Sequence, residues 1–151
     1  MPSDTSCSIV IMVGLPGSGK STYLRQLGAN AISSDAIRLL LADDAAIQTI
    51  HPQVFATMRY LLRRRLALGR PVSHVDATHL TVSDRSPYVK IARAFRCDLE
   101  AVFFDIPVAV CQERNRRRQR VVPEAAIEYM QAKLVPPSLE EGFSRIIVVK
   151  S

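Results

Sequence analysis

With 151 residues, the chain is long enough for one ordinary domain with a substantial core and too short for two comfortable ones, so a single domain over residues 1–151 is expected. Hydrophobic residues make up 48% and charged residues 23% of the chain, which excludes a wholly disordered polypeptide. The net charge of +6 comes from 20 basic against 14 acidic residues, and 16 of the 20 are arginine, a bias that suits an anionic partner because a guanidinium matches phosphate oxygens in pairs.

Cys7, Cys97 and Cys111 are odd in number, far apart and set in apolar segments. That pattern predicts packed free thiols in a reducing compartment rather than a disulfide framework. No apolar run is long enough to span a bilayer, and residues 9–13 lack the basic leader and cleavage site of a signal peptide, so a cytoplasmic location is expected.

Residues 8–13 form an apolar, β-branched run bounded by Gly14, the pattern of a strand buried on both faces. After a glycine-rich turn, residues 21–27 read as a helix that stops near Gly28 and Asn30. A short strand is expected over 31–33. A helix over 35–41 then has Asp35 at its entrance and Ile37, Leu40 and Leu41 on one face. Residues 52–68 read as a long helix started by Pro52 and ended by Gly69, and 71–75 as a strand ending at Asp76. A helix over 83–95, a strand over 99–104 and a helix from Pro107 into an arginine cluster follow. Pro123 opens a helix reaching Leu134, Pro136 and Pro137 break it, and 146–149 is a last β-branched strand. This alternation predicts an α/β fold: a parallel sheet of about five strands with helices on both faces and ligands at the carboxyl ends of the strands. Gly14, Asp35 and Asp76 all fall at such ends.

Gly14, Gly19, Lys20 and Ser21 fit the G-x-x-x-x-G-K-[ST] pattern of the P-loop NTPases. Gly17 adds a position for tight backbone approach, and the N–H groups of Gly17, Ser18 and Gly19 belong to the loop that cradles phosphate. In that chemistry Lys20 neutralises the β and γ phosphates of ATP, Ser21 places its hydroxyl on Mg²⁺, and Thr22 can reach the α phosphate. Asp35 and Arg38, three apart at a helix start, project from one face. They suit a base for an acceptor hydroxyl and a clamp for an acceptor anion, or an N-cap and a solvated arginine. Asp76 could orient Arg38, hold a magnesium-bound water or cap a turn with Thr78. His79 could donate to an acceptor phosphate or be an ordinary loop residue, and three scattered histidines have no metal-binding spacing.

The segment RNRRRQR brings Arg114, Arg116, Arg117, Arg118 and Arg120 together at a helix end. It reads as a lid able to stabilise charge on a transferring phosphoryl group, or as a solvated helix face. Arg63, Arg64 and Arg65, on the long helix, are expected to face solvent.

In order and approximate spacing, GLPGSGKST, SSDAIR, DATHL, FFDIP and the arginine segment followed by VVP resemble the kinase domain of phage and bacterial polynucleotide 5′-hydroxyl kinases, within the wider group of small P-loop kinases. The resemblance covers nearly the whole chain and implies an adenylate-kinase-like sheet with an arginine-rich lid. It implies that Lys20 and Ser21 serve ATP and Mg²⁺, that Asp35 activates the acceptor hydroxyl, that Arg38 grips a neighbouring phosphate and that Asp76 organises the pocket. Arg118 matches the family's catalytic lid arginine and Arg114 an earlier one, with Arg116 and Arg117 as alternatives. The chain departs from the family at His79, where asparagine is common, and at Ala36, where an acidic residue is common. Three functions follow: a kinase acting on a polynucleotide 5′-hydroxyl, a kinase acting on a sugar, nucleoside or antibiotic hydroxyl, and a nucleotide-switched binding protein. Oligomeric state is not legible in the sequence.

Overall fold

In the computed structural model, which describes residues 7–118 and 121–150, five strands pair in parallel. They are β1 (Ser8–Val13), β2 (Ile32–Ser33), β3 (Val72–Asp76), β4 (Asp98–Phe104) and β5 (Arg145–Val149), in the spatial order β2-β3-β1-β4-β5. Between them run α1 (Lys20–Gln26), α2 (Ser34–Ala42), α3 (His51–Ala67), α4 (Val82–Phe95), α5 (Val108–Arg116) and α6 (Glu124–Lys133). A short 3₁₀ turn, Leu139–Glu141, precedes β5 and was not foreseen from the sequence.

The alternation of β1 side chains divides the core between the two faces of the sheet. Ile9, Ile11 and Val13 pack with Val54, Met58, Leu62 and Leu66 of α3 and with Tyr88, Val89 and Ile91 of α4. Val10 and Met12 point the other way, to Leu24 of α1, Cys111 of α5 and Ile127 of α6. With both faces covered, β1 is apolar and buried from Ile9 to Val13, and the loops after β1, β2 and β3 open at one end of the sheet.

Three sequence expectations are corrected. Ser8 pairs with Asp98, so Cys7 and Cys97, one residue earlier on each strand, lie side by side with Cα atoms 4.9 Å apart and their sulfurs bonded. A separation of 90 residues hid this neighbourhood, and the free-thiol argument for a reducing compartment loses its basis. Cys111 alone is free and buried, as expected. In α2 the inward residues are Ile37 and Arg38, while Leu40 is 82% exposed and Leu41 51%, because α2 packs more on α3 than on the sheet. Arg63 and Arg64 face solvent, but Arg65 turns back to donate to Ser73 Oγ (3.0 Å) and Val72 O (2.7 Å), tying α3 to β3.

α4 keeps its helix across Pro87. The Ser83 carbonyl that lacks the backbone N–H of residue 87 accepts the Ser86 hydroxyl instead, at 3.3 Å. Among the described residues no helix is long and apolar enough to cross a membrane.

Candidate active site

The turn after β1 is fixed at both ends. Gly14 N donates to Thr78 O (3.0 Å) and Ser18 N to Leu15 O (3.1 Å), so the loop is anchored to the segment after β3. Gly17 (φ 82°) and Gly19 (φ 104°) take left-handed conformations that favour glycine. A Cβ at Gly17 would also stand 2.4 Å from the Cys111 carbonyl oxygen, so only glycine lets the loop sit this close to α5. Gly19 precedes α1 and offers no side-chain cap, leaving N–H groups of the first turn available to an anion.

Lys20 is buried, and its ammonium donates to Gly14 O (2.9 Å) and Leu15 O (2.8 Å) across the loop. Burial lowers its pKa to about 8; Asp76 opposes that shift and Arg118 adds to it. Ser21 Oγ donates to Asp76 Oδ2 at 3.4 Å. Burial raises the Asp76 carboxyl above its ordinary value, with Lys20 pulling the other way.

These residues line a cleft of about 490 Å³. Gly17, Gly19, Lys20, Ser21 and Thr22 form its phosphate wall; Ser33, Ser34, Asp35, Asp76, Ala77 and Thr78 also line it, as do Arg114, Arg117 and Arg118. The end of β1, the start of α2, the end of β3 and the end of α5 therefore meet in one space, as the strand-end argument predicts. Ser33 caps α2 by accepting from Ala36 N (3.2 Å), which leaves the Asp35 side chain on the cleft wall.

The arginine segment separates into distinct roles. Arg114 lies against the phosphate loop, with Nη1 donating to Ser18 O at 3.3 Å, and Arg118 acts electrostatically on both Lys20 and Asp76. Arg117 also lines the cleft but is held by Glu113 at 2.8 Å. Arg116 is pulled away to Glu113 (3.2 Å) and Glu124 (2.5 Å). Arg120 lies outside the described residues.

Three expected site residues are not displayed in the cleft. Arg38 is 5% exposed; it donates to Asp35 Oδ1 at 3.3 Å, and its Nη2 contacts His51 Nδ1 at 2.9 Å. It supports Asp35 from behind. His79 is a core histidine, 3% exposed: its Nδ1 meets Met12 O at 2.6 Å, its ring stands edge-on to Tyr88, and burial lowers its pKa to about 4. A neutral ring fixed beneath β1 cannot donate to an acceptor phosphate, so that expectation is corrected. The Ser18 side chain is also buried below the loop.

Arg25, Ser33 and Ser34 line the cleft without having been expected there from the sequence. Arg85 was missed as well. It is fully buried in α4, pairs through two bonds with Glu141 (2.9 and 3.0 Å) and donates to His79 O and Val135 O (2.9 Å each). Arg25 falls one turn after Ser21, a spacing visible in the sequence; no local pattern foretells a partner for Arg85 that is 56 residues away.

Residues 9–137 match the model of the AAA_33 family, described as an AAA domain. The chain belongs to this family. Its P-loop kinase fold is shared by solved structures. A candidate kinase of Chloroflexus aurantiacus is 16% identical, with a TM-score of 0.75 over 98% of this chain and 87% of that one. A gluconokinase of Sinorhizobium meliloti is 22% identical, with a TM-score of 0.63 over 97% and 83%. The Pnkp1/Rnl/Hen1 RNA repair complex contains a chain that is 23% identical, with a TM-score of 0.66 over 88% of this chain and 49% of that one. No curated protein matches the sequence significantly.

Proposed function

We propose that this protein transfers the γ-phosphoryl group of ATP to an alcohol. The observation that carries this reading is the single cleft in which the phosphate loop, with Lys20 and Ser21, faces the carboxylate of Asp35. In the transfer, the acceptor oxygen forms a bond to the γ-phosphorus while the bond from that phosphorus to the β–γ bridging oxygen breaks. ADP leaves with the electron pair, and the acceptor proton passes to Asp35. Arg38, backed by His51, holds Asp35; Lys20, Arg114 and Arg118 supply positive charge where the triphosphate and its transition state carry negative charge.

The donor set suits Mg²⁺. Ser21 and Asp76 offer a hydroxyl and a carboxylate, hard oxygen ligands 3.4 Å apart beside the phosphate loop. Among the described residues no group of three His, Cys, Asp or Glu side chains could form an all-protein metal cage, consistent with a cation held largely by phosphate and water. When bound, the ion would neutralise charge between the β and γ phosphates.

For the acceptor, the order of motifs and the similarity to a chain of an RNA repair complex favour a polynucleotide 5′-hydroxyl. A second reading, a small hydroxylated metabolite, is favoured by the cleft lining. It contains no aromatic side chain, whereas single strands are usually held on stacking rings; the similarity to a gluconokinase points the same way. Incubation with radiolabelled ATP and either 5′-hydroxyl oligonucleotides or a panel of small alcohols separates the two. Transfer to neither class would sink the kinase assignment. Asp35→Ala should abolish transfer while ATP still binds.

A further inference from the structure

α5 stops without the usual signal. No glycine stands between Gly69 and Gly142, and the residue that closes α5, Arg117, keeps right-handed angles (φ −91°, ψ −1°), whereas helices commonly end on a left-handed glycine. The last turn tightens instead, with Arg117 N donating to Arg114 O (3.2 Å) and Arg118 N to Asn115 O (3.1 Å). The Asn115 side chain supplies the stop. It is 0% exposed; its Nδ2 donates to Val122 O (2.6 Å) and its Oδ1 accepts from Val122 N (3.0 Å). Both atoms of a buried amide are thus satisfied by the backbone of a single residue seven positions on, where the chain has turned back.

Asn115 ties this turn to the cleft. Val122 is a fixed point, because it packs against the core cluster of Met12, Cys111 and Ile127. On the other side, a Cβ at Gly17 would stand 3.4 Å from Asn115 N, so Asn115 lies against the phosphate loop. Arg118 follows directly: it lines the cleft, its backbone hangs from Asn115 O, and its charge acts on Lys20 and Asp76. The side-chain links from α5 to α6, Arg116 with Glu124 and Gln112 with Glu128, are exposed, and exposed pairs contribute little. The amide of Asn115 is shielded from water, where losing a partner costs most.

We propose that Asn115 is a positioning residue for phosphoryl transfer: by pinning the chain back at Val122 it holds Arg118 in the cleft. This rests on the kinase reading and adds to it a residue that touches neither nucleotide nor acceptor. Misplacing a charge by about 1 Å can cost about a hundredfold in rate, so Asn115 acts through Arg118.

Kinetics and proteolysis on the intact protein test the assignment. Asn115→Ala should lower kcat per folded molecule by about tenfold or more, while the Kd for ATP changes less than about threefold. In an Arg118→Ala background the same substitution should cost less than about threefold, because the route through Arg118 is already gone. Trypsin under native conditions should cut after Arg116, Arg117 or Arg118 about tenfold faster in Asn115→Ala than in the wild-type protein, since the pinned chain must open to be cleaved. Where Asn115→Ala fails to fold, Asn115→Asp takes its place; it keeps the shape and, when ionised, loses the donor to Val122 O. A smaller loss of kcat, an equal loss in both backgrounds, or cleavage at the wild-type rate overturns the proposal. A wild-type protein that phosphorylates no acceptor sinks the kinase reading, and the proteolysis then decides alone whether Asn115 holds the arginine segment.

Discussion

At the scale of single residues, Lys20 carries the most direct pH signature. Burial holds its pKa at about 8, whereas a bound triphosphate favours the charged ammonium. ATP binding should therefore take up a proton once the pH exceeds about 8, and affinity should fall by up to tenfold per pH unit above that point. Calorimetry in buffers of different ionisation enthalpy checks this; equal heats at pH 9 would contradict it. For the free protein the sign is reversed. Burying the ammonium costs stability below pH 8, and the cost is relieved as the pH rises from about 8 towards 10.5, because the folded state gives up the proton first. The arginines differ equally clearly. Arg118→Ala should lower kcat by about a hundredfold or more, as expected for loss of a charge facing the transferring group, while Arg116→Ala, already held by Glu113 and Glu124, should change it less than about threefold. Steady-state kinetics on the two variants tests the assignment.

At the scale of elements, the pieces of the site were legible because local chemistry specifies them. A β-branched run, a glycine-rich turn, prolines at helix starts and glycines at helix ends placed every strand and α-helix within a residue or two. The strand-end positions of Gly14, Asp35 and Asp76 followed directly. Illegible features depend on contacts between distant segments. Arg38 and His79 look like site residues in sequence, but α2 leans on α3 and buries the first, and the edge-on contact with Tyr88 buries the second. Arg85 is the extreme case, since it fastens α4 to the 3₁₀ turn and to the segment after α6 through Glu141 and Val135. Removing one partner of such a buried pair leaves an uncompensated charge, so Arg85→Ala or Glu141→Leu should cost about 3–5 kcal/mol. Replacing both with apolar residues of similar size, as in Arg85→Met with Glu141→Leu, should cost less than either single change. Urea unfolding of the three variants decides the matter, and additive losses would show that the two residues act independently.

At the scale of the whole molecule, the Cys7–Cys97 bond sits at the amino end of the sheet, where β1 and β4 begin, while the cleft opens at their carboxyl ends. It closes a loop of 90 residues containing the phosphate loop, Asp35 and Asp76. Constraining so long a loop in the unfolded chain stabilises a protein by about 4.6 kcal/mol in the chain-entropy model. Both cysteines also pack against the core cluster shared by α3 and α4, so their reduced side chains would still fill the same space. Reduction should therefore lower stability without rearranging the site. With a thiol reductant present, the urea midpoint should fall while the Kd for ATP at low denaturant changes less than about twofold. Thiol titration of the unfolded protein should give one reactive group, Cys111, before reduction and three after it. Cys7→Ser/Cys97→Ser should reproduce the reduced midpoint and abolish its response to reductant. A midpoint indifferent to reductant in the wild-type protein would show that the bond contributes nothing to stability. A loss of ATP affinity on reduction would show that strain at one end of the sheet reaches the other.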